Sequence, residues 1–307
     1  MKISNVLITG VSGFIGSNLL DYLLEVTDWT ITGVDNLSTG NKENIEHNLS
    51  NPRFTFVQSS VKDIKSLKPY QAVYHLAALP RIQPSFELIN EHVEANVNQG
   101  IHLIELMINE QHYPRLVYSG SSAIYGTPQI IPTPEHERID CLSPYAFQKY
   151  ELEKYLELIA TRFPLDYITL RYFNPFGPRS FNPKNAFNAY SSVVGIFLNR
   201  YKNGQPLLVT GDGSQRRDFI HVRDLAKANH LASIHPNKIN TAFNIGFGST
   251  LSVLDLAKMI STNYEFIPKR EGEADITFAD NSKARTLLNW EPTENIEAYV
   301  KKEIASK

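Results

Sequence analysis

The chain has 307 residues, of which 42% are hydrophobic and 20% are charged, and its formal net charge is −2. This length suffices for one large domain or two closely joined ones, and the balanced charge argues against a polyanion-binding surface, so we expect no nucleic-acid partner. The single cysteine, Cys141, excludes an internal disulfide. With no signal peptide and no apolar run of transmembrane length, the sequence predicts a cytoplasmic protein without a membrane segment.

The first half of the chain alternates short apolar runs with helical patterns. Strands are predicted at 5–10, 30–35, 54–58, 72–77, 115–120 and 167–173, and helices at 14–26, about 85–111 and 145–162. The strand candidates are apolar almost throughout, which is typical of strands covered on both faces. This alternation predicts an α/β fold with a Rossmann-like, doubly wound parallel sheet.

The pattern changes at about Asn174, where a loop rich in proline, glycine and asparagine begins. A helix near 188–203, a strand at 207–211, a helix from Asp224, a strand at 242–246 and a helix from about Val253 follow. Because this part is short and interrupted, we expect a smaller α/β region that caps the carboxyl edge of the sheet, where such folds bind ligands.

Three glycines, Gly10, Gly13 and Gly16, lie between the first strand and the first helix. Glycines there allow a tight turn and a close approach of the backbone to a pyrophosphate, and the helix N-terminus favours its negative charge. Asp35 ends the second strand, nineteen residues after Gly16. A carboxylate there can accept hydrogen bonds from ribose hydroxyls, and no arginine follows at 36–41, so NAD is favoured over NADP.

The pattern Tyr-x-x-x-Lys occurs twice within residues 143–155, as Tyr145 with Lys149 and as Tyr150 with Lys154. A lysine one helical turn from a tyrosine stabilises the phenolate and suits the pair to proton transfer. The spacing alone does not decide between the two pairs.

The nine histidines form no motif of metal ligands. His92, His102 and His112 are ten residues apart, which is not a ligand spacing, so solvated helix faces are the better interpretation. We expect no metal.

Motifs along nearly the whole chain resemble the extended short-chain dehydrogenase/reductase family, in particular nucleotide-sugar epimerases of the UDP-galactose 4-epimerase type. The resemblance is carried by "TGVSGFIGSNL", "VDNLSTG", "YSGSSAIYG", "SPYAFQK", "LRYFNPFGPR", "GDGSQRRDFIHVRD" and "REGEADITFADNSKA", in this order. It implies an NAD-binding domain at 1–173, to which 218–240 returns, and a nucleotide-sugar-binding region at 174–217 and 241–307. It also implies a homodimer joined through helices near 92–111 and 146–162.

The resemblance assigns the catalytic roles to Ser121, Tyr145 and Lys149, and leaves Tyr150 and Lys154 on the other face of the helix, in packing or at a subunit contact. The implied cofactor-binding positions are Gly10, Gly13, Phe14, Ile15, Gly16, Asp35, Asn36, Ser38, Thr39, Gly40, Ser60, Val61, Leu76, Ala77, Ala78, Asn96, Tyr145, Lys149 and Tyr172. The implied substrate-binding positions are Ser85, Ser121, Ser122, Tyr145, Asn174, Arg217, Arg270 and Thr277. Arg217 and Arg270 match arginines that clamp a diphosphate, whereas Arg216 is expected to be exposed. Arg81 is not a usual family residue at its position; we expect it to be exposed, with a substrate-specific contact as the alternative.

Two departures within this resemblance refine the expected activity. Ser122 and Ala123 stand where the family's 4,6-dehydratases have the Asp and Glu that drive elimination of water. Without these acids, we expect reversible hydride transfer and no elimination. Ser60 stands where an aspartate usually contacts adenine, so we expect NAD to bind, though less tightly.

Thr277 matches a gatekeeper that is tyrosine in enzymes restricted to glucose and galactose. We therefore expect an NAD-dependent 4-epimerase of UDP-GlcNAc and UDP-GalNAc, with UDP-Glc and UDP-Gal as further substrates. A nucleotide-sugar 4-ketoreductase or dehydrogenase and a non-catalytic NAD-binding regulator are the alternatives, and dTDP or GDP instead of UDP stays open.

Overall fold

A computed structural model describes residues 3–182 and 191–306. The strands are β1 (Asn5–Thr9), β2 (Thr30–Asp35), β3 (Phe54–Gln58), β4 (Ala72–His75), β5 (Arg115–Ser121), β6 (Tyr167–Tyr172), β7 (Pro175–Phe176), β8 (Leu207–Thr210), β9 (Arg216–Arg217), β10 (Ile220–His221), β11 (Thr241–Ile245), β12 (Leu251–Ser252) and β13 (Tyr264–Ile267). The helices are α1 (Phe14–Val26), α2 (Ile82–Glu87), α3 (Ile89–Val93), α4 (Gln99–Glu110), α5 (Pro144–Ala160), α6 (Val193–Lys202), α7 (Val222–Ile234), α8 (Val253–Ile260), α9 (Ser282–Leu288) and α10 (Ile296–Ala305). The predicted helix near 188–203 begins at Val193, and positions 188–190 lie outside the described residues.

Seven parallel strands of the described ranges form the main sheet, in the order β11-β6-β5-β4-β1-β2-β3. Within β1, Val6 and Ile8 face a core built with α1 and α7, whereas Leu7 faces a second core built with α4 and α5. Both faces of the sheet are therefore covered, which explains the apolar strands and confirms the predicted fold class. The chain reverses its direction of winding between β1 and β4, and such a switch point leaves a crevice at the carboxyl ends of the strands.

The smaller region has its own apolar cluster beside this edge. Phe197 of α6, Leu207 of β8 and Leu256 of α8 are buried there together with Val300 of α10. Three two-stranded pairs, β13 with β8, β12 with β9 and β10 with β7, complete it among the described residues. Residues 241–245, which were expected in the nucleotide-sugar-binding region, form β11 and pair with β6 in the main sheet. The division of the chain into two binding regions stays a prediction.

The helix predicted at about 85–111 is divided into four segments. It starts earlier, with α2 at Ile82, is interrupted at Leu88, and passes through a π-helical turn at Glu94–Asn98 before α4. Such turns occur where a helix adapts to a local requirement. Here the side chain of Asn96, inside the turn, accepts a hydrogen bond from the backbone N–H of Leu79 at 2.7 Å.

The histidines of this segment are not solvated, contrary to expectation. His92 is fully buried. His102 and His112 are half-buried and lie 2.9 Å from the carbonyl oxygens of Ile64 and Tyr70, respectively. Helical spacing alone did not show that this face packs against neighbouring loops. No group of three or more His, Cys, Asp or Glu side chains in residues 3–182 and 191–306 could hold a metal ion.

No helix within the described ranges is both long and apolar enough to cross a membrane.

Candidate active site

A cavity of about 730 Å³ lies at the carboxyl edge of the sheet, between the main sheet and the smaller region. The predicted positions in its wall are Gly10, Gly13, Phe14, Ile15, Gly16, Asp35, Asn36, Ser38, Thr39, Gly40, Ser60, Val61, Leu76, Ala77, Ala78, Ser121, Ser122, Tyr145, Lys149, Tyr172, Asn174, Arg217, Arg270 and Thr277. Ser85 and Asn96 are the two predicted positions that this wall does not contain.

The glycine turn after β1 provides a cradle that a side chain would fill. Gly10 has a φ of +74°, and a Cβ atom there would lie 2.7 Å from the backbone nitrogen of Ala77. A Cβ atom on Gly16 would lie 2.1 Å from the carbonyl oxygen of Gly10. Gly13 precedes α1 and provides no side-chain cap for the amides of the first turn. A helix N-terminus of this form binds phosphate through its free N–H groups.

Asp35 lies at the end of β2, on the same side of the cavity. Its carboxylate accepts hydrogen bonds from the backbone N–H of Ser12 at 2.9 Å and of Leu37 at 2.8 Å. Burial raises the pKa of this carboxyl group, and the two amide donors lower it. A carboxylate fixed in this way fits ribose hydroxyls and repels a 2′-phosphate. The glycine cradle and Asp35 together fit NAD.

Helix α5 places the reactive candidates. Ser143 caps it, since its Oγ accepts the N–H of Ala146 at 3.2 Å, and Pro144 is its first residue. A Ser-Pro entry favours a helix start at this point. Tyr145 and Lys149 are therefore one turn apart on the same face, as the sequence predicted.

Ser121 and Tyr145 both line the cavity. Burial raises the pKa of the Tyr145 phenol, while the neighbouring hydroxyl of Ser121 and the charge of Arg81 lower it. Lys149 donates from Nζ to the carbonyl oxygen of Ser119 at 2.9 Å, and burial lowers the pKa of its ammonium group to about 7. The buried Ser121 hydroxyl and Lys149 amine and the half-buried Tyr145 phenol thus lie at one part of the cavity, where they can transfer a proton.

The second tyrosine–lysine pair lies elsewhere. Tyr150 is partly buried against the cluster of Ile124 and Phe173, and Lys154 pairs with Glu157 at 2.5 Å on the surface. Neither residue lines the cavity.

At the opposite end of the cavity, two arginines share one carboxylate. Arg217 lies 3.4 Å from Glu273, and Arg270 lies 4.0 Å from it. Burial lowers the pKa of Arg217, whereas Glu273 raises it. Two guanidinium groups against one carboxylate leave a net positive charge that suits a diphosphate. Arg216, as expected, is exposed, and its guanidinium donates to Thr250.

Asn174 and Thr277 are joined in the wall between these ends. The amide nitrogen of Asn174 donates to Thr277 Oγ1 at 2.7 Å and to the carbonyl oxygen of Asp218 at 3.0 Å. The Asp218 carboxylate accepts three backbone N–H groups, from residues 247, 248 and 279. Burial raises the pKa of Asp218 to about 6.

Ser85 and Asn96, two of the expected ligand contacts, make hydrogen bonds within the protein. Ser85 is fully buried, and its Oγ accepts the backbone N–H of Tyr145 at 3.1 Å. Asn96 is also buried, and besides Leu79 it donates to Gln148 Oε1 at 2.9 Å. These side chains are turned toward neighbouring backbone and α5, and their expected contacts with ligand stay predictions.

Arg81 was expected to be exposed, with a substrate-specific contact as the alternative. It is half-buried and lines the cavity that Tyr145 also lines. Gln99 and Arg179 also line the cavity without having been predicted. Arg179 stands in the quoted motif "LRYFNPFGPR", whereas nothing in the local pattern around Arg81 or Gln99 indicated a cavity.

Comparison with known proteins gives a consistent result. The model of the family described as "NAD dependent epimerase/dehydratase family" matches residues 6–246. The UDP-glucose 4-epimerase of Mycolicibacterium smegmatis is 30% identical over 298 residues, which cover 93% of each chain. Two solved structures are similar over nearly their whole length. A UDP-N-acetylglucosamine 4-epimerase from Methanobrevibacter ruminantium M1 in complex with UDP-N-acetylmuramic acid has 31% identity, a TM-score of 0.89 and coverage of 99% of this chain and 98% of that one. A UDP-glucose 4-epimerase from Thermotoga maritima with UDP-glucose has 34% identity, a TM-score of 0.88 and coverage of 98% and 97%.

Proposed function

Since the chain belongs to the NAD-dependent epimerase/dehydratase family, as an isomerase of its UDP-sugar 4-epimerase group, we propose that it interconverts UDP-GlcNAc and UDP-GalNAc and also accepts UDP-Glc and UDP-Gal. One observation carries the proposal: Ser121, Tyr145 and Lys149 line the same cavity as the glycine cradle, which supports their role in proton transfer. Residues 122 and 123 beside it have no acidic side chain that could drive elimination.

When bound, NAD supplies reversible two-electron oxidation at carbon 4 of the sugar. Tyr145 takes the proton of the 4-hydroxyl group, and Ser121 orients that hydroxyl or relays its proton. The positive charge of Lys149 stabilises the phenolate. After the sugar has turned about its diphosphate, Tyr145 returns the proton to the oxygen on carbon 4, and the bound cofactor would supply the hydride for reduction of that carbon on its opposite face, which gives the epimer.

The diphosphate has a matching site at the far end of the cavity. Arg217 and Arg270 donate to it in place of Glu273, which they share in the free protein. This anchor holds the nucleotide while the sugar turns between its two orientations.

The acetamido group is proposed from the size of Thr277. This residue lines the cavity, and its hydroxyl is bonded to Asn174 on the side of the wall. A threonine leaves space that a tyrosine would fill.

A homodimer is proposed from the outward face of α5. Phe147, Tyr155 and Leu158 expose 56%, 40% and 62% of their surface, respectively, on a helix whose opposite face is buried. A second copy that covers this face would remove these apolar side chains from water.

The test uses purified protein and UDP-GlcNAc without added NAD, followed by proton NMR. We expect UDP-GalNAc to appear, and Tyr145→Phe to abolish the conversion while it preserves binding of UDP. A repeat with added NAD shows whether Ser60 has weakened the retention of the cofactor. A repeat with UDP-Glc shows whether the sugar preference inferred from Thr277 is wrong. Stoichiometric consumption of cofactor would favour a 4-ketoreductase, and near-wild-type turnover by Tyr145→Phe would contradict the mechanism.

A further inference from the structure

Arg81 combines three features at the sugar end of the cavity. It precedes α2 with a φ of +94°, a backbone conformation that non-glycine residues rarely adopt. Its side chain lines the cavity, and its buried Nε atom has no hydrogen-bond partner in the described part of the chain. Buried polar groups are normally satisfied, so an orphan donor in a cavity wall indicates a ligand.

No carboxylate of the described residues forms a direct ion pair with Arg81. The charged and titratable groups around it are Tyr145, Glu273 and Arg270. Among the described residues, the Glu273 carboxylate lies within 4.0 Å of Arg217 and Arg270 but not of Arg81. Burial lowers the pKa of the Arg81 guanidinium, yet arginine keeps its charge in proteins. A half-buried cation without a counterion favours an anion.

The position of Arg81 is fixed from two sides. Ser85, in the helix that follows Arg81, accepts the backbone N–H of Tyr145 at 3.1 Å. Gln83, in the same helix, donates to the carbonyl oxygen of Glu271 at 2.8 Å, in the loop that contains Arg270. The Arg81 guanidinium also interacts electrostatically with Tyr145 and with Arg270, and all three residues line the cavity. In the proposed substrate complex the sugar ring lies between the phenol that acts on carbon 4 and the diphosphate arginines, and therefore near Arg81.

We propose that Arg81 binds a carboxylate carried by the sugar, so that acidic UDP-sugars belong to the substrate class of this enzyme. The inference rests on the proposed function, because the sugar is placed by Tyr145 and by the diphosphate arginines. A guanidinium pairs with a carboxylate through two parallel hydrogen bonds, and such charge-assisted bonds are stronger than those to neutral hydroxyls. Carbons 3 and 5, the neighbours of carbon 4, are the points from which a carboxylate would reach it.

The experiment measures the affinity of the full chain by calorimetry for four probes: UDP, UDP-GlcNAc, UDP-glucuronic acid and UDP-N-acetylmuramic acid. The last two carry a carboxylate on carbon 5 and on the substituent of carbon 3, respectively. We expect at least one of them to bind more tightly than UDP-GlcNAc. Arg81→Gln should weaken that probe about 10- to 150-fold, the range of a hydrogen-bonded charge, and should change UDP less than about twofold. Arg81→Lys should retain part of the preference for the acidic probe over UDP-GlcNAc.

The control is Arg216→Gln, an exposed arginine outside the cavity that should leave all four affinities unchanged. An equal loss for UDP, UDP-GlcNAc and the acidic probes in Arg81→Gln would overturn the proposal and assign Arg81 to the diphosphate site. Unchanged affinities together with a shifted pH profile of epimerisation would also overturn it, and would make Arg81 a positioning residue for Tyr145. The binding of UDP to the wild type separates this result from a failure of the proposed function. If the proposed function is wrong, the wild type does not bind UDP at all.

Discussion

Replacing Lys149 by methionine should stabilise the protein free of nucleotide, and the gain should depend on pH. Burial lowers the pKa of this ammonium group from 10.5 to about 7, which corresponds to a cost on the order of 5 kcal/mol when the native state holds the charge. Below pH 7, both the native and the unfolded chain bind the proton, so the full cost applies. Between pH 7 and 10.5 only the unfolded chain binds it, so the free energy of unfolding of the wild type rises with pH.

The advantage of Lys149→Met should therefore shrink by about 3 kcal/mol between pH 6.5 and 9.5. The lost hydrogen bond to Ser119 costs about 1 kcal/mol at every pH and does not affect this slope. Urea unfolding curves at intervals of half a pH unit, on protein stripped of nucleotide, measure the difference. The matched control is Lys154→Met on the same helix. Glu157 raises the pKa of Lys154, so its contribution should be constant over this range. A pH-independent difference for Lys149→Met would refute the reasoning.

Three further substitutions test other parts of the structure. Gly16→Ala would place a Cβ atom 2.1 Å from the carbonyl oxygen of Gly10. Such overpacking lowers the free energy of unfolding by about 1–3 kcal/mol. The amount of NAD that the purified protein releases on denaturation should fall about tenfold or more. Thr277→Tyr should reduce turnover of UDP-GlcNAc about 100-fold relative to UDP-Glc, and equal loss for both sugars would contradict a gatekeeper role. Glu153→Ala leaves the buried guanidinium of Arg171, to which Glu153 is paired, without its counterion. The free energy of unfolding in urea should fall by about 3–5 kcal/mol, and a loss below 1 kcal/mol would show that water reaches the pair.

The main sheet could be predicted because its strands are buried on both faces. An apolar run such as 115–120 has one interpretation when helical patterns flank it, and β5 extends over Arg115–Ser121. The division of residues 82–110 into several segments could not be predicted in this way. It depends on the contact of Asn96 with Leu79, which is seventeen residues away and has no periodic signal. The place of β11 in the main sheet depends in the same way on its pairing with β6, about seventy residues earlier in the chain.

The reactive candidates could be located for a related reason. The positions of Tyr145 and Lys149 depend only on the start and period of one helix, and the glycine turn is equally local. The hydroxyl of Ser85, in contrast, is bonded to the backbone of Tyr145, sixty residues later. The burial of Arg81 depends on the loop near Glu271, to which its helix is joined by Gln83. Contacts between such distant segments have no signature in a short motif.

Asn174 and Thr277 show how two separate predictions become one property of the structure. They were predicted from different motifs, but a hydrogen bond of 2.7 Å joins their side chains. A tyrosine at 277 would therefore fill the space beside carbon 2 and also remove the acceptor that holds the amide of Asn174. Thr277→Val keeps the size of the residue and removes only the acceptor, whereas Thr277→Ser keeps both the acceptor and the space. If Thr277→Val impairs both sugars equally while Thr277→Ser impairs neither, the hydroxyl acts by positioning Asn174. The sugar preference of Thr277→Tyr then has to be measured against Thr277→Val instead of the wild type, because only that comparison isolates the effect of size.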